Sequence, residues 1–194
     1  MVRLSHALLG LTVSLILLSA ASLAWSSPAT GGDPPAASEY EVKAAFLFHF
    51  TQFTDWPAAL FEKTGGRIVI GVLGADPFGS DLDRAVRGKT VQGRPLAVQR
   101  FPRAEDVGPC QVLFIGESDR KRLRVILDSL KGKPVLTVGE SDQFLAQGGI
   151  IAFLREDEHI RFSINLDAAD RSALKFSAKL LKVARSVRDT GPRD

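Results

Sequence analysis

Residues 67–73 read RIVIGVL, an almost continuous apolar run in which four of the seven side chains are β-branched. A run of this length and composition predicts a β-strand that is buried on both faces, which is the environment of strands in parallel sheets. Gly74-Ala75-Asp76-Pro77 follows and predicts a turn, with Asp76 as the N-cap of a helix that begins at Pro77 and ends at Gly88.

The same alternation of strand and helix patterns continues outward from this run. Further strands are predicted at 95–101, 111–115, 134–138, 150–154 and 160–164, and further helices at 38–56, from 118, around 144–145 and at 167–188. The last two strands flank a polar turn and predict an antiparallel hairpin. The pattern indicates an α/β fold: a three-layer domain with a mostly parallel sheet, helices on both faces and the closing hairpin at one edge.

The first predicted helix is unusually aromatic. Ser38 and Glu41 have the spacing of a capping box, and Pro57 is expected to end the helix. Between Ala44 and Phe50 its residues are apolar on nearly every side, apart from His49. Such a helix must be buried all round. Either it lies deep in its own domain, or one side is covered by a second subunit or a partner.

The N-terminus has the layout of an exported protein. Residues 1–24 contain a basic start, an apolar run and a small-residue exit, which predict a secretory signal peptide, with an uncleaved anchor as the alternative. Residues 25–37 predict a flexible linker, residues 38–188 one domain, and residues 189–194 a disordered tail. The expected localisation is periplasmic.

Charge and cysteine content narrow the possible functions. The chain has 25 basic and 22 acidic residues and no long basic block, so nucleic-acid binding is not expected. Cys110 is the single cysteine and cannot form an internal disulfide. Its position before an apolar strand favours a buried thiol over an intermolecular disulfide.

No pattern in the chain predicts catalysis. Gly88-Lys89-Thr90 resembles the end of a phosphate-binding loop, but Asp83 stands where the first glycine is required. His49 and His159 are isolated, and no Gly-x-Ser-x-Gly motif is present. We therefore predict that the protein is not an enzyme and has no catalytic residues, cofactor or metal site.

One charged pattern stands out in the last predicted helix. Arg171, Lys175, Lys179 and Lys182 are spaced so that they would form one basic stripe on it. Such a stripe is either a solvated face or a contact with an acidic partner or an anionic lipid surface.

Seven blocks in the same order together resemble the YfiR family of periplasmic proteins over nearly all of residues 40 to 188. The blocks are VKAAFLF at 42–48 with Phe53-x-x-Trp56-Pro57, GVLG at 71–74 with PFG at 77–79, CQVLFI at 110–115, LTV at 136–138 before Phe144, GGII at 148–151, RFSIN at 161–165 and LKFSAKLL at 174–181.

The resemblance implies a periplasmic repressor that is not an enzyme. It implies a homodimer that binds the periplasmic region of an inner-membrane diguanylate cyclase, or of a sensor kinase, and lowers cyclic di-GMP signalling and biofilm formation. It also implies that an outer-membrane lipoprotein can sequester the repressor. Better-known members carry disulfide-forming cysteine pairs. In this chain Gly71 stands at the expected partner position of Cys110, Leu145 and Ala152 stand where a second pair is expected, and Gln111 replaces a common histidine. A redox-controlled mechanism is therefore not expected.

For partner binding, the candidates are the outward side of the hairpin, represented by Ile151, Arg161 and Ser163, together with Phe48 and Trp56 of the aromatic region. The alternative function is a small-molecule-binding module. Its site would lie at the carboxyl ends of the strands, in the loops 74–79 and 116–119.

Overall fold

A computed structural model describes residues 38–140 and 142–189. The predicted signal peptide at 1–24 and linker at 25–37 lie outside the described residues, as does the predicted tail beyond Asp189. Within the described part of the chain, no helix is long and apolar enough to cross a bilayer.

Helices and strands alternate along the chain. The helices are α1 (Glu39–Gln52), α2 (Ala59–Glu62), α3 (Ser80–Val86), α4 (Leu123–Leu130), α5 (Asp142–Ala146), α6 (Leu166–Arg171) and α7 (Ala178–Val183). Two 3-10 helices, Ala104–Asp106 and Glu117–Arg122, precede β5 and α4. The strands are β1 (Thr54–Asp55), β2 (Ile68–Leu73), β3 (Thr90–Val91), β4 (Arg94–Phe101), β5 (Val112–Ile115), β6 (Leu136–Gly139), β7 (Ile151–Glu156), β8 (His159–Asn165), β9 (Lys175–Phe176) and β10 (Ser186–Arg188).

Eight of the strands form one sheet in the order β10-β8-β7-β6-β5-β2-β4-β3. The pairs from β4 to β7 are parallel, and β7 and β8 form the predicted antiparallel hairpin. The order β4-β2-β5-β6-β7 is that of a doubly wound, flavodoxin-like sheet. The hairpin does not form the edge, because β10 pairs in parallel with β8 beyond it.

The predicted central strand is confirmed. All six residues of β2 are buried, and the strand pairs with β4 on one side and β5 on the other. Ile70 and Val72 join the apolar cluster that contains residues of α1 and α3, whereas Val69 and Leu73 join the cluster that contains residues of α4 and α5. Helices therefore cover both faces of the sheet, as expected for a three-layer α/β domain.

Helix α1 begins as predicted but ends earlier. The Ser38 hydroxyl accepts a hydrogen bond from the Glu41 amide, which is the expected cap. The helix ends at Gln52, four residues before the predicted end, because Thr54 and Asp55 pair with Phe176 and Lys175 in a small second sheet. This pairing between distant parts of the chain overrides the local helical pattern.

The predicted helix at Asp76 also begins later. Asp76 Oδ1 accepts from the Phe78 amide at 2.8 Å, and its other oxygen accepts from Arg100 Nε at 2.6 Å. The helix α3 starts only at Ser80, after Gly79 takes a positive φ of 51°. Asp76 therefore caps the turn after β2 and forms an ion pair with Arg100 of β4, and it does not cap a helix.

The single last helix predicted at 167–188 is wrong. Asn165, not Asp167, caps α6: the Asn165 Oδ1 accepts a hydrogen bond from the Ala168 amide at 3.1 Å. Helix α6 ends at Arg171, Ala173 takes a φ of 53°, and β9, α7 and β10 follow. The four residues predicted to form one basic stripe are thus distributed over α6, β9 and α7, and no single helix presents them.

Candidate partner-binding surface

A groove lies between α1 and the tip of the β7–β8 hairpin, with a volume of about 430 Å³. Helix α1 contributes Glu39, Val42 and Phe46. The hairpin contributes Arg155, Glu158, His159, Ile160 and Arg161. We call this feature the hairpin groove.

The floor of the hairpin groove is apolar. Phe46 is half-buried, and its ring centroid lies 5.4 Å from that of Phe162 and 6.0 Å from that of Phe153. Val42 lies one turn earlier on α1 and is also half-buried, as is Ile160 on β8. The groove therefore leaves part of an aromatic and aliphatic cluster in contact with solvent.

The rim of the hairpin groove is charged. Arg155 lies 3.4 Å from Glu39 and 3.4 Å from Glu158, so its guanidinium ties the hairpin turn to the start of α1. His159 and Arg161 are exposed, and neither side chain has a hydrogen bond or ion pair with another described residue. A planar guanidinium without a partner suits a carboxylate or a backbone carbonyl of another molecule.

A buried charge cluster fixes α1 next to this groove. The Lys43 ammonium group donates to the carboxylates of Glu39 and Glu140, and it lies 4.6 Å from the centroid of the Tyr40 ring. Burial acts to lower the pKa of Lys43, but the hydrogen bonds to Glu140 and Glu39 outweigh it and raise that pKa. Burial, followed by the nearby Glu140 charge, raises the pKa of Tyr40. The start of α1 is thereby anchored to Glu140, directly after β6.

The structure separates the residues predicted to bind a partner. Arg161 is exposed and belongs to the hairpin groove. Ile151 and Ser163 do not lie on an outward side of the hairpin: they are 0% and 2% exposed. Ile151 pairs with Ile164 and faces the cluster below α1, whereas Ser163 pairs with Ala152 and is covered by β10, where Ser186 Oγ donates to Ser163 Oγ at 2.7 Å. Their expected place on the outward side is therefore incorrect.

Phe48 and Trp56 lie in a different region of the domain. They cluster with Phe61, Ile68 and Val91 beside β2, β3 and β4, and the strands β5 and β6 separate β2 from the hairpin. The Phe48 ring is 8% exposed and lies 4.1 Å below the Lys89 ammonium group. Trp56 is half-buried, and its buried Nε1 has no hydrogen-bond partner among residues 38–140 and 142–189. Partner binding by these two residues stays a prediction, but they do not belong to the same surface as Arg161.

Sequence reasoning missed most of the hairpin groove. Val42, Phe46 and Ile160 fit the pattern of core residues, and only the packing of α1 against the hairpin shows that they remain half-exposed. One available signal was the hairpin itself, because strand alternation with a polar turn at Asp157 brings His159 and Arg161 to one side of β8.

At the carboxyl ends of β2 and β5, proposed as an alternative ligand site, side chains of the second loop contact the first loop. Ser118 Oγ accepts from the Ala75 amide at 3.1 Å. A Cβ atom placed on Gly74 would lie 2.3 Å from Ser118 Oγ and 2.1 Å from the Asp119 carboxylate. These two side chains therefore lie against Gly74 at the carboxyl end of β2.

Position 71, where the resemblance places the disulfide partner of Cys110, is not next to Cys110 in the structure. Cys110 is buried, and burial raises the pKa of its thiol to about 12. Gly71 pairs with Leu113, which is three residues and about 10 Å along the strand from Cys110. A side chain at position 71 would contact the Phe101 ring instead. The expectation that Gly71 marks the partner position of Cys110 does not fit this register, since a disulfide requires Cα atoms within about 7 Å.

Among residues 38–140 and 142–189, no three His, Cys, Asp or Glu side chains converge in a way that could hold a metal ion. The hairpin groove has an apolar floor and charged groups at its rim.

The sequence model of the YfiR/HmsC-like family matches residues 40–185. Two solved structures are similar to the chain at low identity. The ABC domain from Streptococcus pneumoniae, determined in complex with L-Trp, is 11% identical with a TM-score of 0.48, and the match covers 67% of this chain and 58% of that one. A conserved domain protein from Vibrio cholerae is 12% identical with a TM-score of 0.49, and the match covers 78% of this chain and 60% of that one. The chain thus matches about three fifths of the length of each.

Proposed function

Because the chain belongs to the YfiR/HmsC-like family, we propose that it binds the periplasmic sensor region of an inner-membrane diguanylate cyclase and holds that enzyme inactive. The family suggests a periplasmic, non-catalytic regulator of cyclic di-GMP signalling. The observation that carries the proposal is the match over residues 40–185, which includes the hairpin and all of α1 except Glu39.

The chemistry of the hairpin groove supports recognition of another protein. Interface centres combine aromatic or aliphatic anchors with arginine, and they exclude water around a few strong contacts. Phe46 and Ile160 supply the apolar part of such a centre, and Arg161, which leaves β8 on the face opposite to Ile160, adds an unpaired guanidinium at its edge. A complementary partner would present an apolar side chain flanked by an acidic residue.

Repression also sets an energetic requirement. To shift a cyclase from about 1:99 to 99:1 in favour of its inactive state, the repressor must bind that state better by about 5.5 kcal/mol. A few contacts made only in one state can supply this difference, because a single buried hot-spot residue can contribute 2 kcal/mol or more. The groove alone is small, so the whole interface would extend beyond it to about 800 Å² on each partner.

Export, dimerisation and sequestration complete the proposal. A periplasmic location requires the N-terminal signal peptide predicted for residues 1–24. We also propose a homodimer and an outer-membrane lipoprotein partner, which the sequence resemblance implies. N-terminal sequencing of the protein from a periplasmic fraction tests export and cleavage of the signal peptide. Light scattering of the purified protein tests dimerisation.

Deletion of the gene tests the regulatory function. We expect cellular cyclic di-GMP to rise in the deletion strain and to return to its original level when the intact gene is restored. The purified protein should also bind the purified periplasmic region of a diguanylate cyclase from the same genome. Unchanged cyclic di-GMP, together with no binding to any such region, would contradict the proposal.

A further inference from the structure

A second groove, of about 400 Å³, lies at the amino ends of β5 and β6. The chain segments that precede these two strands form one wall, and α2 with the residues around it forms the other. Its residues are different from those of the hairpin groove. We call it the lysine groove.

The lining of the lysine groove is almost entirely apolar. Leu60, Cys110 and Val135 are buried at its base. Pro57, Pro109 and Pro134 contribute to its walls and have no amide hydrogen to donate. A ligand would therefore meet methyl, methylene and ring carbons over most of its surface.

The charged groups that line the lysine groove are both positive. Lys63 and Lys133 are exposed and are the two charged residues of its lining, and neither ammonium group has a hydrogen bond or ion pair with another described residue. The hairpin groove, in contrast, includes the carboxylates of Glu39 and Glu158 as well as basic residues. Cys110 adds no negative charge at neutral pH, because burial raises the pKa of its thiol to about 12.

These features fit an anion with an apolar body. The volume lies within the range of small-molecule sites, about 300–1,000 Å³, in which apolar walls carry a few placed polar groups. We propose that the lysine groove binds a small amphiphilic carboxylate, whose apolar part packs against Leu60 and Val135 and whose carboxylate is held by Lys63 and Lys133. The proposal does not depend on the regulatory function, since it concerns a separate surface.

Titration of the purified protein with decanoate, below its micelle concentration, tests this site by two-dimensional NMR. We expect saturable shifts in the amide signals of Leu60, Gly108, Cys110 and Val135. Decanol, which has the same chain without the charge, should bind more weakly, and decyltrimethylammonium should bind more weakly still.

A double variant separates charge from hydrophobic contact. Lys63→Gln with Lys133→Gln should weaken decanoate binding about tenfold or more and leave decanol binding unchanged. Lys179→Gln with Lys182→Gln removes the same charge from exposed positions of α7 and should bind decanoate like the unaltered protein. Absent shifts, shifts centred on α1 and the hairpin, equal binding of the cationic analogue, or unchanged decanoate affinity in the Lys63/Lys133 variant would each overturn the proposal.

Discussion

The Lys43 ammonium group donates to the Glu140 carboxylate across 97 residues of chain, and the two side chains are only 6% and 9% exposed. This contact joins the start of α1 to the end of β6. Because Glu39 accepts from the same ammonium group, one buried cation is shared by two carboxylates. The position of α1, and with it one wall of the hairpin groove, depends on this cluster.

Replacing Lys43 should therefore destabilise the domain. Lys43→Met leaves Glu39 and Glu140 facing each other without a cation, and removal of one partner from a buried ion pair costs about 3–5 kcal/mol. We expect the free energy of unfolding to fall by about 3 kcal/mol, because Glu39 is partly exposed and its carboxylate can turn towards water. Urea unfolding measures the change, and Lys182→Met, on an exposed part of α7, should alter stability by less than about 0.5 kcal/mol. Equal effects of the two substitutions would contradict a structural role for the cluster.

The buried thiol predicts a specific pH dependence. Burial raises the pKa of Cys110 to about 12 from an ordinary value of 9.0, so the folded state favours the neutral thiol. The stability that comes from this preference is fully present below pH 9 and is lost as the pH rises from 9 towards 12. The difference in unfolding free energy between the unaltered protein and Cys110→Ala should therefore shrink over this range. A difference that stays constant up to pH 11 would show that the thiol is not protected. Iodoacetamide should also modify Cys110 slowly at pH 8 in the native protein and rapidly in urea.

A side chain at position 71 should destabilise the domain. A Cβ atom there would lie 2.8 Å from the Phe101 ring and 3.0 Å from a methyl carbon of Leu113. We expect Gly71→Ala to cost about 1–3 kcal/mol, as overpacking of a core does. Gly71→Cys should be destabilised similarly and should keep both thiols reduced, because position 71 pairs with Leu113 rather than with Cys110. Thermal unfolding tests the first expectation, and a mass decrease of two hydrogens under oxidising conditions would refute the second.

Arg161 should affect partner binding without affecting folding. It is exposed and has no ion-pair partner among the described residues, so Arg161→Glu should leave the melting temperature nearly unchanged. If the hairpin groove receives an acidic partner residue, the substitution should weaken the complex with a cyclase sensor region at least about tenfold, or about 1.4 kcal/mol. Lys182→Glu is the matched control, with the same change of charge on α7. Equal affinities for the two variants would show that the interface lies outside the hairpin groove. That result would not contradict the regulatory function, which gene deletion tests.

Local patterns in the sequence were sufficient for much of the fold. The apolar run that became β2, the Ser38 cap and the alternation of β7 and β8 each depend on residues that are close together in the chain. A strand buried on both faces needs no information beyond its own composition, and a helix cap needs only four residues. The family could likewise be identified from seven short blocks in order, and the match over residues 40–185 confirms it.

The end of the chain and the candidate surface depended on contacts between distant residues. Helical spacing continues after Asn165, but Thr54 pairs with Phe176 and Ser186 pairs with Ser163, so this segment is divided between short helices and strands. Strand register decided which hairpin residues face solvent, because a shift of one position moves a side chain to the opposite face: Ile151 became core and Arg161 became surface. Composition and spacing thus specified the local elements, whereas pairing and packing across the chain, which no local pattern records, determined where those elements end and which side chains remain available to a partner.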